Sequence, residues 1–154
     1  LTPNMAVVTS TDADHLDIYG TKEAYLESFS HYTSLIKPNG ALIMREGIEL
    51  SPQLRKGVNC YTYSIDSGDF HAENIRIGNG NIIFDYISPL GNINDIQLGV
   101  PIYINIENGI AAMALAQISG VNADEIKAGM ASFRGVDRRF DFKIKNERIV
   151  YLSD

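Results

Sequence analysis

Tryptophan is absent from this 154-residue sequence, and cysteine occurs once, as Cys60. A lone cysteine forbids an intramolecular disulfide and fits a reducing compartment, so a cytoplasmic protein is expected. Long apolar runs are missing too. The longest, Ile110 to Ala116, falls far short of the roughly 18 to 20 residues that span a bilayer, which argues against a membrane partner. No basic cluster exceeds the pair Arg138-Arg139, and 13 Lys and Arg against 19 Asp and Glu leave a net charge of −6. A nucleic-acid phosphate track needs the opposite sign. The opening Leu-Thr-Pro-Asn follows no basic stretch, so no signal peptide is read there. Internal repeats and low-complexity tracts are also lacking. What remains is 45% apolar, 9% aromatic and 21% charged, the balance of an ordinary globular domain. The first residue is Leu, and the last strand-like run stops at Ser153-Asp154, which reads as a piece of a longer protein.

The apolar pattern sets the fold class. Met5 to Thr9 is a short continuous apolar run, as in a strand buried on both faces of a parallel sheet. Thr21 to Lys37 places Tyr25, Phe29, Tyr32 and Ile36 at helical spacing, and Pro38-Asn39-Gly40 closes it. Ala41 to Met44 and Asn59 to Ile65 predict two further strands. Leu50 to Lys56 predicts a short helix, with Ser51 as N-cap and Pro52 at its first position. This alternation implies an α/β fold: a partial three-layer parallel sheet with helices on both faces. After Gly68 the rhythm changes. Phe70–Ile77 and Ile82–Ile87 alternate around Gly78-Asn79-Gly80-Asn81, and Asn94–Val100 follows, which predicts a small antiparallel sheet. Asn105 to Ser119 is a helix apolar nearly all round, with Gly120 after its end. Asn122 and Glu125 open the next helix with a capping box. Phe142–Ile144 and Arg148–Leu152 form a last strand pair. Cys60, on a buried strand, reads as a small core residue, and His31 and His71 as structural.

Three clusters could carry chemistry. Asp12, Asp14, His15 and Asp17 follow the carboxyl end of the first strand, where open α/β sheets bind ligands. Together they can offer oxygen and nitrogen ligands to a divalent cation; the plainer reading is a solvated loop with one Asp capping a helix. Asn105 and Asn108, three apart at a helix start, share a face and could match the amino edge of a purine. The plainer reading makes Asn105 an N-cap and Asn108 a first-turn polar residue. Arg138 and Arg139 could clamp a phosphate, or pair with Asp137 and Asp141 on the surface.

The order of the three clusters resembles the Mur ligase family. Val7-Val8-Thr9-Ser10-Thr11-Asp12-Ala13-Asp14-His15-Leu16-Asp17-Ile18-Tyr19-Gly20 is similar to its metal loop. Asn105-Ile106-Glu107-Asn108-Gly109-Ile110-Ala111-Ala112 is similar to its HN-x-x-N-x-x-AA helix start. Phe133-Arg134-Gly135-Val136-Asp137-Arg138-Arg139-Phe140-Asp141 is similar to its F-x-G-x-x-R-R-F-D junction. The resemblance implies residues 1–136 of a central ATP-binding domain, then a junction and the first strands of a C-terminal domain over 137–154. It implies ATP and Mg2+ as cofactors, with His15 as metal ligand and catalytic residue. Asn105 and Asn108 would contact adenine, and Arg138 and Arg139 would lie near the phosphates. Within the family the alanine-adding branch is nearest, which implies UDP-N-acetylmuramate and L-alanine as substrates and an acyl-phosphate intermediate. Ser30 stands where some siblings carry a carbamylated lysine, and Ile102-Tyr103-Ile104 replaces the family's Gly-Lys-His. The family's phosphate loop and glutamate metal ligand would precede Leu1. The chain alone is therefore expected to be inactive, and missing strands predict self-association. Alternatives are a sibling that recycles murein tripeptide, a folylpolyglutamate-type synthase, or a non-catalytic α/β binding module.

Overall fold

A computed structural model describes residues 1–12, 16–136, 141–145 and 150–153. In chain order the elements are β1 (Met5–Val8), α1 (Leu16–Tyr19), α2 (Lys22–Ser34), β2 (Ala41–Arg45), β3 (Asn59–Tyr63), β4 (His71–Gly78), β5 (Asn81–Ile87), β6 (Ile93–Gln97), α3 (Ile104–Ile118), α4 (Ala123–Ser132), β7 (Asp141–Lys145) and β8 (Val150–Ser153).

β1, β2 and β3 form the expected parallel sheet in that order, Met5 opposite Ala41 and Ala41 opposite Asn59. Strand alternation divides their side chains between two cores. Ala6, Val8 and Leu42 pack with Ile36, Phe29 and Tyr32 beneath α2, whereas Ile43, Tyr63 and Val7 pack with Ile106, Ile110 and Met113 of α3. Both faces are therefore covered, which is why β1 and β2 read as unbroken apolar runs. α2 and α3 make the outer layers expected from the sequence.

The antiparallel sheet β4-β5-β6 packs beyond α3. Ile82, Phe84 and Tyr86 of β5 point inward at every second position, into the core that holds Ile106 and Ile110. The β4–β5 turn is Asn79-Gly80, with φ of +50° and +71°. Both central residues are left-handed, as a two-residue hairpin turn of type I′ requires. α4 starts at the capping box Asn122–Glu125, and β7 pairs antiparallel with β8.

Three local expectations are corrected. Residues 50–56 form no helix. Gln53 donates its backbone N–H to the Thr33 hydroxyl at 2.8 Å, and Leu50, Leu54 and Val58 insert beside α2, so burial against a neighbour overrides the local helix signal. α2 stops at Ser34, three residues before Lys37. Leu35 and Ile36 tighten into i−3 bonds, leaving Pro38 and the left-handed Asn39 outside the helix. Cys60 is exposed. It lies opposite Leu42, on the α2 side, but the α2 core reaches no residue of β3. His31, in the last turn of α2, is exposed as well, where a basic group suits the negative end of the helix.

Candidate functional site

Two clefts lie near the carboxyl ends of the parallel strands and the start of α3. The first is polar, about 410 Å³, lined by Ser10, Asp12, Lys22, Arg45, Glu46 and Glu49. Loops after β1 and β2 build it, as the topology of an open parallel sheet dictates. Its carboxylates are largely committed. Asp12 accepts from the Ser10 hydroxyl at 2.8 Å, and the Ser10 oxygen accepts the Asp12 backbone N–H at 2.9 Å. Glu49 pairs with Lys22 at 2.5 Å, holding that ammonium above its ordinary pKa. Glu46 accepts from Ser67 at 2.5 Å and Thr62 at 3.3 Å. Among the described residues no three His, Cys, Asp or Glu side chains gather into a metal site.

The second cleft is mainly apolar, about 240 Å³. One wall is the first turns of α3, with Asn105, Asn108, Gly109 and Ala112; the other is Leu98, Val100, Met130 and Phe133. Gly99 brings the walls together. It donates its N–H to the Met130 carbonyl at 3.0 Å, and a Cβ there would collide with the Phe133 carbonyl oxygen. Asn105 lies one residue inside α3, and the N-cap is Tyr103, which makes no side-chain cap bond. Asn105 is therefore not the N-cap of its plainer reading. Its Nδ2 donates to the Val100 carbonyl at 3.2 Å. That contact commits one of the amide's two N–H groups and sets which way the amide points, with Oδ1 left as an acceptor. Asn108 is exposed on the same wall. The structure thus brings together the two asparagines that the spacing singled out.

Other predicted site residues divide differently. Asp12 faces the polar cleft, and Asp17 is exposed in the first turn of α1. Asp14, His15, Arg138 and Arg139 lie outside the described residues. His71 is structural: Nδ1 meets the Gly68 carbonyl at 3.0 Å, and Nε2 lies 3.7 Å from Glu73.

Sequence reasoning missed one pair. Arg45 ends β2, and its Nε lies 2.9 Å from Oε2 of Glu107 in the first turn of α3. The N–H is not aimed at that oxygen, so the contact is ionic rather than an aligned hydrogen bond. The signal was a charge closing the apolar run Ala41–Met44 and a lone acid inside an otherwise apolar helix. Tyr63, 1% exposed, registers opposite Arg45. Burial, then the nearby Glu107 carboxylate, pushes its phenol up to about 12.

Residues 1–116 match a family model described as the Mur ligase middle domain. UDP-N-acetylmuramate–L-alanine ligase of Phocaeicola vulgatus is 74% identical over 154 residues, covering 100% of this chain and 34% of that protein. The chain thus spans about a third of the length of the curated relatives it matches. Among solved structures, UDP-N-acetylmuramate-alanine ligase of Thermotoga maritima aligns with a TM-score of 0.82 at 22% identity, covering 100% of this chain and 35% of that one. The MurF ligase of the same organism, in complex with ADP, aligns with a TM-score of 0.74 at 18% identity, over 98% of this chain and 35% of that one.

Proposed function

We propose a function on the premise that this chain belongs to the Mur ligase family, through the middle domain that residues 1–116 match. It is a segment of the ATP-dependent ligase that joins L-alanine to UDP-N-acetylmuramate, an early step of peptidoglycan synthesis in the cytoplasm. The 74% identity to a ligase of that name supports the choice of branch. Residues 1–136 would belong to the central ATP-binding domain, and 137–154 to the junction and start of the C-terminal domain.

One observation carries the nucleotide reading: two asparagines on one wall of an apolar slot, one with its amide orientation fixed. Adenine is flat, apolar on its faces, and bears an amino group at its edge. The apolar walls suit the faces, and Oδ1 of Asn105 suits the amino group. Guanine presents a carbonyl at that position, and two acceptors repel. The ADP bound by the related ligase supports placing an adenine nucleotide in this fold.

In the proposed reaction a carboxylate oxygen of the acetylmuramate attacks the γ-phosphorus, and ADP leaves. The alanine amine then attacks the acyl carbon, and phosphate departs as the amide forms. Such chemistry needs positioning and charge neutralisation more than a protein nucleophile. Magnesium, when bound, supplies part of that neutralisation. It takes several hard oxygen ligands. Asp12, whose Oδ2 also takes the Ser10 hydroxyl, would provide one, His15 is assigned as a ligand by the family motif, and Glu46 and Glu49 are engaged by Ser67 and Lys22. Arg138 and Arg139 are assigned to the phosphates on the same motif basis.

The test is ADP release by the intact ligase. Release that requires both UDP-N-acetylmuramate and L-alanine is the expected result. Release with murein tripeptide or a folate as acceptor would reassign the chain to a sibling ligase. No release with any acceptor would favour a non-catalytic module.

A further inference from the structure

The Arg45–Glu107 pair sits behind the proposed base site, with the Arg45 side chain 41% exposed and its carboxylate partner withdrawn from water. The Glu107 side chain is 11% exposed, beneath α3 and beside the fully buried Ile106 and Ile110. Withdrawing a carboxylate from water costs several kcal/mol, and an apolar residue of similar volume is often at least as stable. Stability alone therefore does not explain an acid here. Its position suggests what does. A helix turns about 100° per residue, so Glu107 lies about 200° round the axis from Asn105 and points to the sheet while Asn105 faces the cleft. Arg45 is anchored by its own backbone in the centre strand of the parallel sheet.

We propose that the Arg45–Glu107 ion pair is a positioning device for nucleotide selection: it fixes the roll of α3 about its axis, so that Asn105 and Asn108 meet the adenine edge. The proposal rests on the base-site reading above. Side-chain tips lie about 5–6 Å from a helix axis, so a roll of about 20° displaces an asparagine amide by about 2 Å. That is enough to take a 3 Å hydrogen bond out of range. Close packing of Ile110, Met113 and Ala114 holds the body of α3, but at its start Tyr103 and Ile104 are exposed, so the turn that carries the asparagines has fewer such contacts. There the Arg45–Glu107 contact at 2.9 Å, with side chains 41% and 11% exposed, adds a tie between the first turn of α3 and the end of β2. Arg45 also lines the polar cleft, and loss of a phosphate contact there would raise KM for ATP and GTP alike, so action through the asparagines is read in the ATP-over-GTP ratio.

The experiment compares ATP with GTP in the intact ligase carrying Glu107→Gln, Arg45→Met, Arg45→Lys, or both Glu107→Gln and Arg45→Met. The expected result is a rise of about tenfold in KM for ATP in the first two, a smaller change in kcat, and a fall of about tenfold in the ATP-over-GTP ratio of kcat/KM. Arg45→Lys keeps the charge and should recover part of the preference. The double variant should be no worse than either single one, since both remove the same contact. A pair that only stabilises the fold would lower the melting temperature and leave KM and the ATP-over-GTP ratio in place, and that outcome overturns the proposal. Should Glu107→Gln fail to fold, Arg45→Met and Arg45→Lys carry the same comparison. A wild-type enzyme that does not prefer ATP over GTP would instead overturn the base-site reading itself.

Discussion

Nδ2 of Asn105 donates to the backbone carbonyl of Val100 across 3.2 Å, tying the first turn of α3 to the loop that precedes it. This bond orients the amide before any ligand arrives. Asn105→Ala in the intact ligase loses both the tether and the acceptor. KM for ATP should rise about tenfold or more, the equivalent of about 1.4 kcal/mol. Stability should fall by about 1 kcal/mol, the usual worth of one hydrogen bond. Asn108→Ala, which removes no described hydrogen bond, should raise KM with little change in melting temperature. Steady-state kinetics and thermal melts of the two variants separate the roles. Equal losses of stability without any KM effect would return both residues to helix scaffolding.

Tyr63 predicts an alkaline limit to stability. Its phenol is raised to about 12 by burial and by Glu107, with Arg45 pulling weakly the other way. A group with a raised folded pKa contributes stability that is complete below its unfolded value, about 10 for tyrosine. That contribution declines as pH climbs from about 10 through 12, because the unfolded chain releases the proton first. Urea midpoints at pH 9, 10 and 11 should fall in wild type. Tyr63→Phe has no proton to lose there and should show a shallower decline. Parallel curves for the two proteins would place the alkaline sensitivity elsewhere.

The 154-residue chain by itself is expected to bind ATP no tighter than roughly millimolar, the scale of about 4 kcal/mol, and to hydrolyse none. None of its 13 glycines precedes a lysine, so it carries no Gly-Lys-[Ser/Thr] phosphate loop. The apolar slot holds only a base, and contacts of that size give weak affinity. Calorimetric titration with magnesium-ATP measures this directly, and micromolar binding would contradict it. Light scattering at high concentration should show self-association; a monodisperse monomer would contradict that part.

Much of this protein was legible in one dimension. Continuous apolar runs at Met5–Thr9 and Ala41–Met44 announced a sheet covered on both faces, because every side chain of such a strand must be buried. Asn79-Gly80 announced its hairpin, because both central positions need positive φ. Asn122 and Glu125 announced their helix, because a capping box is satisfied within four residues. The asparagine pair was legible for the same reason: a spacing of three on a helix defines a shared face. Each of these signals is local, and the physics that produces it acts within a few residues.

What tertiary structure decided lies between elements far apart in sequence. Residues 50–56 carried a helix signal, yet Thr33 captured the Gln53 N–H and the segment took an irregular path beside α2. Cys60 followed the strand pattern of a core residue, but which strand meets an uncovered face depends on where α2 ends. Arg45 and Glu107 are 62 residues apart, and neither shows its partner until β2 and α3 are brought together. Ion pairs and sheet edges are relations between surfaces, so they come into being only when the chain has closed on itself.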